Sequence, residues 1–211
     1  MRKVRVLAVV LILVTAGCAT PTPPPQVAGQ PTRRGGPIDE ELKAASGDPD
    51  SMAWSASRVL QLSDFRAAVP PGAVEGARTA YVLSYGMWCR AAVFRFSVSA
   101  SFLPAQSWVK PRALSDPPEG RRILNHEQTH FNQTEVFARK MRRFFQDQLY
   151  NPCGQTEAQL NALADRFVTD EAEAQQRYDD ETSFGRIPEQ QRVWDKNIHD
   201  TLATLAKYAA P

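Results

Sequence analysis

The sequence predicts an α+β domain in which a small antiparallel sheet is followed by three helices. Three observations carry that prediction. Apolar residues recur with a period of two between Arg58 and Trp108, the period becomes helical after Pro111, and caps and breakers cut the helical half into three. The clearest strand is Phe94-Arg95-Phe96-Ser97-Val98-Ser99-Ala100-Ser101-Phe102, which alternates apolar and polar residues and therefore reads as half-buried. Tyr81-Val82-Leu83-Ser84-Tyr85 is its expected partner, with Gly86 to Arg90 near the turn, and Arg58 to Leu62 offers a less regular strand.

In the helical half, Ser115 or Asp116 caps a helix opened by Pro117 and Pro118. It runs to about Leu149 and stops at Asn151-Pro152, with Gly154 just beyond. Thr156 and Gln159 form a capping box for the second helix, striped by Leu160, Leu163, Ala164, Phe167, Ala174 and Tyr178. Phe184-Gly185 breaks the chain, and Pro188 opens a last helix striped by Trp194, Ile198, Thr201, Leu205 and Tyr208.

The length of 211 residues suits one domain with appendages, and 11 Gly, 3 Cys and 43% hydrophobic residues exclude collagen-like, disulfide-dense and disordered classes. The appendage is N-terminal. Arg2, Lys3 and Arg5 precede the apolar run Val6 to Val14, too short for a spanning helix, and then Thr15-Ala16-Gly17-Cys18. This order resembles a lipoprotein signal over residues 1–17, with Cys18 lipidated as the mature N-terminus; a plain signal cleaved near Ala19 is the alternative. The Pro-rich stretch that completes residues 18–37 reads as an extended spacer, and the domain occupies residues 38–211, with a short polar helix at Asp39 to Ala45. An exported protein, lipid-anchored through Cys18 at the periplasmic face of a bacterial membrane, is the expectation. The formal charge of +2 belongs to the signal, because without residues 1–17 there remain 22 basic and 23 acidic residues, a net of −1.

The chemistry-bearing motif is His126-Glu127-Gln128-Thr129-His130, an H-E-x-x-H inside the first long helix. Residues four apart on a helix lie about 40° apart, so both imidazoles can grip one Zn²⁺, while Glu127 lies beside them as a general base toward zinc-activated water. The same face continues through Phe137, Met141 and Phe144, so the histidines point inward. That arrangement is zincin-like. Arg139, Lys140, Arg142 and Arg143 fall on the other side and read as a solvated face rather than a nucleic-acid patch. A catalytic zinc needs a third protein ligand. Glu135 lies about 180° from His126 and cannot reach the ion, and His199 is off the apolar stripe of its helix. Glu171 interrupts a stripe between Phe167 and Ala174 and is the inward-facing carboxylate that geometry favours; Asp179 follows Tyr178 near the end of the same helix.

Arg58 through Phe65, His126 through Arg139, and Tyr178-Asp179-x-x-Thr182-x-x-Gly185 resemble the bacterial family known as domain of unknown function 922, whose members are taken for secreted zinc-dependent proteases. The resemblance runs on through Gln191 and Trp194. It implies zinc on His126 and His130, Glu127 as base, and a Tyr178-Asp179 element facing the same site. On that basis Asp179 is the third ligand, with Glu171 second. Tyr178 could donate to a developing oxyanion, although its place on the stripe fits packing equally. Two positions depart from the family pattern: Phe184 stands where a His is usual before the glycine, and Asn132 where Asp is usual.

After lipidation Cys89 and Cys153 remain, and an even pair in an exported chain implies a disulfide. The leading function is a membrane-tethered zinc hydrolase, a metallopeptidase acting on peptide or cell-envelope substrates, with no nucleic acid involved. The alternatives are a non-catalytic envelope lipoprotein with a structural or vestigial metal site, and a cell-wall amide hydrolase.

Overall fold

A computed structural model describes residues 50–210. The expected signal, spacer, lipidated Cys18 and polar helix at 39–45 lie outside the described residues. Among the described residues the fold is α+β, with a small antiparallel sheet and four helices. Strands β1 (Met52–Ala53), β3 (Tyr81–Arg90) and β4 (Val93–Phe102) form one sheet in the order β1-β4-β3; β2 (Ala77–Arg78) pairs with β5 (Trp108–Val109) in a second. Helices α1 (Pro111–Ser115), α2 (Pro117–Arg143), α3 (Glu157–Thr182) and α4 (Pro188–Thr204) follow. Among the described residues no helix is long and apolar enough to cross a membrane.

The alternation in β4 is realised as expected. Val98, Ala100 and Phe102 are buried on one face, while Arg95 is exposed on the other. Phe102 meets Phe131 of α2 at 6.0 Å between ring centroids, and Phe96 meets Phe145 at 5.4 Å. The partner strand is longer than its sequence suggests. Gly86 to Arg90 continue in register against Val93 to Ser97, and the turn is Ala91-Ala92. The strand expected at Arg58–Leu62 is not formed: Leu60 gives its backbone N–H to the Gln128 side chain (2.7 Å) and not to a neighbouring strand, and Leu62–Asp64 makes a single 3-10 turn.

The helix caps follow the sequence. Asp116 accepts from the Glu119 N–H ahead of α2, and Thr156 and Gln159 close a reciprocal box ahead of α3. The fourth helix is the short α1, which precedes the Asp116 cap. α2 ends at Arg143 and continues as one π-helical turn, Phe144–Gln148. The Cys89–Cys153 disulfide is formed, with Cα atoms 5.7 Å apart, tying β3 to the turn beyond α2.

The solvated arginine face is overturned. Glu135, Arg139 and Arg142 are 2%, 5% and 7% exposed. Both arginines pair with the Glu135 carboxylate, at 2.8 and 3.0 Å. Arg139 also donates to the Leu202 carbonyl (2.7 Å) and lies over the Trp54 ring; Arg142 donates to the carbonyls of Val98 and Tyr208. The end of α4 and the residues beyond it cover this side of α2. A helix wheel, which treats the helix as isolated, has no information about that cover.

Candidate metal centre

His126 and His130 fall on the face of α2 turned toward α3, and both are buried, at 3% and 8% exposure. α3 presents Asp179 to them. The Asp179 Oδ1 lies 3.0 Å from the Nε2 of each histidine, and the two Nε2 atoms are 3.2 Å apart. The other ring nitrogens face glutamines. His130 Nδ1 is 2.7 Å from Gln175 Oε1, and His126 Nδ1 is 3.3 Å from Gln191 Oε1. The Gln175 amide is oriented by donating to the His130 carbonyl and Glu171, and the Gln191 amide by donating to Tyr178 and Asp195.

This orientation has a chemical consequence. With Nδ1–H donating to glutamine oxygen, each neutral imidazole offers a bare lone pair at Nε2. Three acceptor atoms then converge, an arrangement suited to holding a cation between them. Their spacing of 3.0–3.2 Å is close to the ~3.3 Å edge expected for ligands about 2.0–2.1 Å from a tetrahedral zinc. Two imidazoles and a carboxylate are also zinc's preferred donors, so the residues fit the ion. His126, His130 and Asp179 form a buried group able to hold a metal.

Electrostatics report the same convergence in the metal-free protein. Burial pushes Asp179 up, but hydrogen bonds from His126 and His130 and their charges outweigh it and hold the carboxyl well below the usual carboxylate range. Burial pulls His130 down, yet the hydrogen bond and charge of Asp179, then the charge of Glu127, lift it to about 9.

Glu127 is buried beside the triad and clamped by Thr79, between β2 and β3: Thr79 N–H donates to its Oε2 (2.7 Å), and Thr79 Oγ1 to its backbone carbonyl (3.3 Å). A cavity of about 310 Å³ opens at the site, lined by His126, Glu127, His130, Thr79, Tyr81, Asp179 and Phe184 among others. Phe184 sits in a left-handed run, with φ of 49°, 57° and 71° at Ser183, Phe184 and Gly185. For a bulky aromatic this is a strained backbone. Arg122, held by Glu119, pins the Phe184 carbonyl at 2.9 Å. Gly185 has no alternative: a Cβ there would lie 2.9 Å from His126 Cβ.

The other candidates are placed elsewhere. Glu171 is fully buried one helical turn before Gln175, bonded to Thr134 and Gln175, outside the triad. Its burial raises the carboxyl to about 7. Tyr178 backs the site: its ring stacks on His126 at 4.6 Å, and its hydroxyl bonds Gln191 and the His126 carbonyl. Glu135 is committed to the arginines, His199 is exposed, and Asn132 accepts from Trp54 and Gln128 on another side of α2. The sequence reading missed Thr79, Tyr81, Gln175 and the role of Gln191. Gln175 alone had a signal, lying four residues before Asp179 on one helix face.

An α+β domain with an H-E-x-x-H helix whose two histidines meet a half-buried aspartate is the class these features define. Residues 72–185 match the family described as bacterial protein of unknown function (DUF922), and the chain belongs to that family. The match includes the triad, Glu127 and Phe184; the 58–65 block, Gln191 and Trp194 lie outside it. No curated protein and no solved structure matches the chain.

Proposed function

We propose that the domain is a zincin-like hydrolase, a metallopeptidase, with zinc held by His126, His130 and Asp179 and Glu127 as general base. The observation that carries this reading is the convergence of three acceptor atoms whose histidines are already committed at Nδ1. Zinc held there would polarise an amide carbonyl and acidify water. The protein's own part is positional. Gln175 and Gln191 hold the tautomers, Tyr178 supports the His126 ring, and Thr79 fixes the Glu127 carboxylate where it can accept a proton from water. Three protein donors among the described residues, beside a cavity, favour a catalytic over a structural site, since structural zinc takes four. The basic n-region, apolar run and Cys18 support export and a lipid tether to a bacterial membrane, with peptides of the cell envelope as the substrates within reach.

The test is metal analysis with casein hydrolysis, comparing wild type and Glu127→Gln. Stoichiometric zinc in both, with activity reduced about 10²–10⁴-fold only in the variant, is the expected result. Zinc in both with no hydrolysis by the wild type would favour the non-catalytic metal site. A wild type that takes up no zinc sinks the reading.

A further inference from the structure

Tyr81 opens β3 two residues after Thr79, and both residues line the same cavity. The tyrosine is 8% exposed and lines the cavity beside His126, Glu127 and His130. A buried phenol ordinarily finds a partner. Tyr85 donates to Asp165 at 2.7 Å, and Tyr178 is bonded on both sides. Tyr81 differs: among the described residues no hydrogen bond to its hydroxyl is found. Burial, then the charges of Glu171 and Asp179, hold the phenol well above its usual value, so it stays protonated and can donate. The cavity therefore presents a carboxylate acceptor, Glu127, and an uncommitted hydroxyl donor, Tyr81.

We propose that Tyr81 is a catalytic residue that hydrogen-bonds the carbonyl oxygen of a bound amide as that oxygen gains negative charge. The inference rests on the hydrolase reading and assigns to Tyr81 the role that sequence alone suggested for Tyr178. In the step it assists, water oxygen bonds to the amide carbon, its proton passes to Glu127, and the C=O electron pair moves onto the oxygen that Tyr81 holds. Collapse breaks the C–N bond and returns the proton from Glu127 to the departing amine. Tyr81 keeps its proton throughout.

The experiment compares wild type, Tyr81→Phe and Tyr178→Phe as zinc-loaded full chains. It reads zinc affinity, melting temperature, casein hydrolysis, and calorimetric binding of a phosphinic peptide that mimics the tetrahedral anion. Tyr81→Phe is expected to leave zinc affinity, melting temperature and KM unchanged while kcat falls about 10²-fold. Phosphinic peptide binding weakens by about 10-fold or more, as for a donor matched to the transition state. Tyr178→Phe instead lowers the melting temperature, because it strands buried partners. An active wild type whose Tyr81→Phe variant keeps full kcat and full phosphinic peptide affinity overturns the assignment and leaves the hydrolase reading standing. Lost zinc affinity in Tyr81→Phe also overturns it, making Tyr81 a ligand. A zinc-loaded wild type that neither hydrolyses casein nor takes the phosphinic peptide overturns both.

Discussion

Each imidazole of the candidate centre has one nitrogen facing a glutamine oxygen, and without an ion a proton can occupy the space between the ligand atoms. His130, lifted to about 9, holds that proton against Asp179. A folded-state pKa above the unfolded value of 6.5 means a stabilising contribution that is complete below 6.5 and lost as pH climbs through about 9. Glu171, raised from 4.5 to about 7, acts in the same direction: folding costs more once it must ionise, so stability falls between those values. The melting temperature of the metal-free protein is therefore expected to fall from pH 5 to pH 9. Glu171→Gln should flatten the lower half of that fall and bound zinc the upper half. A metal-free protein whose melting temperature rises over this range contradicts the scheme. Zinc binding at pH 7 should also release a proton, read as a calorimetric enthalpy that depends on the buffer's ionisation heat.

Among the elements, the β3–β4 hairpin carries an evident local conflict. Its two-residue turn places Ala91 and Ala92 at φ of 49° and 60°, a region alanine occupies at a cost of about 1–2 kcal/mol per residue. Asn-Gly is the pair that such a turn prefers. Replacing Ala91-Ala92 by Asn-Gly should raise the urea midpoint, with a gain of about 1–2 kcal/mol and an unchanged m-value. This turn also shows where sequence reading stops. Ala91-Ala92 carries no turn signature, so the glycine at 86 drew the turn too early. The caps at Asp116 and Thr156 were legible because their partners lie three residues away. His126, Glu127 and His130 were legible for the same reason, their geometry being internal to one helix. Asp179 needed the family resemblance, and Glu171, favoured by pattern alone, is buried a helical turn from Gln175. Thr79 and Tyr81 depend on a chain segment about 50 positions from the motif, and no local pattern encodes that approach.

At the scale of the whole molecule, the disulfide and the proposed metal site lie at different ends of β3. The bridge spans a sequence separation of 64, worth about 4 kcal/mol on the chain-entropy model. Cys89 lies eight residues along β3 from Tyr81, roughly 26 Å at strand rise. The Cys89→Ser/Cys153→Ser double variant should thus lose up to about 4 kcal/mol of unfolding free energy by urea titration, with zinc affinity unchanged. A variant that lost zinc in proportion to stability would show the two ends to be coupled. The Glu135–Arg139–Arg142 cluster joins the molecule differently, because Arg139 touches both Trp54, near the first described residues, and the carbonyl of Leu202, near the last. The two ends of the described residues therefore approach one guanidinium. Topologically the described part is almost a closed ring. New termini opened at exposed Tyr150, with the old ones spliced by a short linker, should leave the cleft intact, and the whole unit could be inserted into a surface loop of another protein.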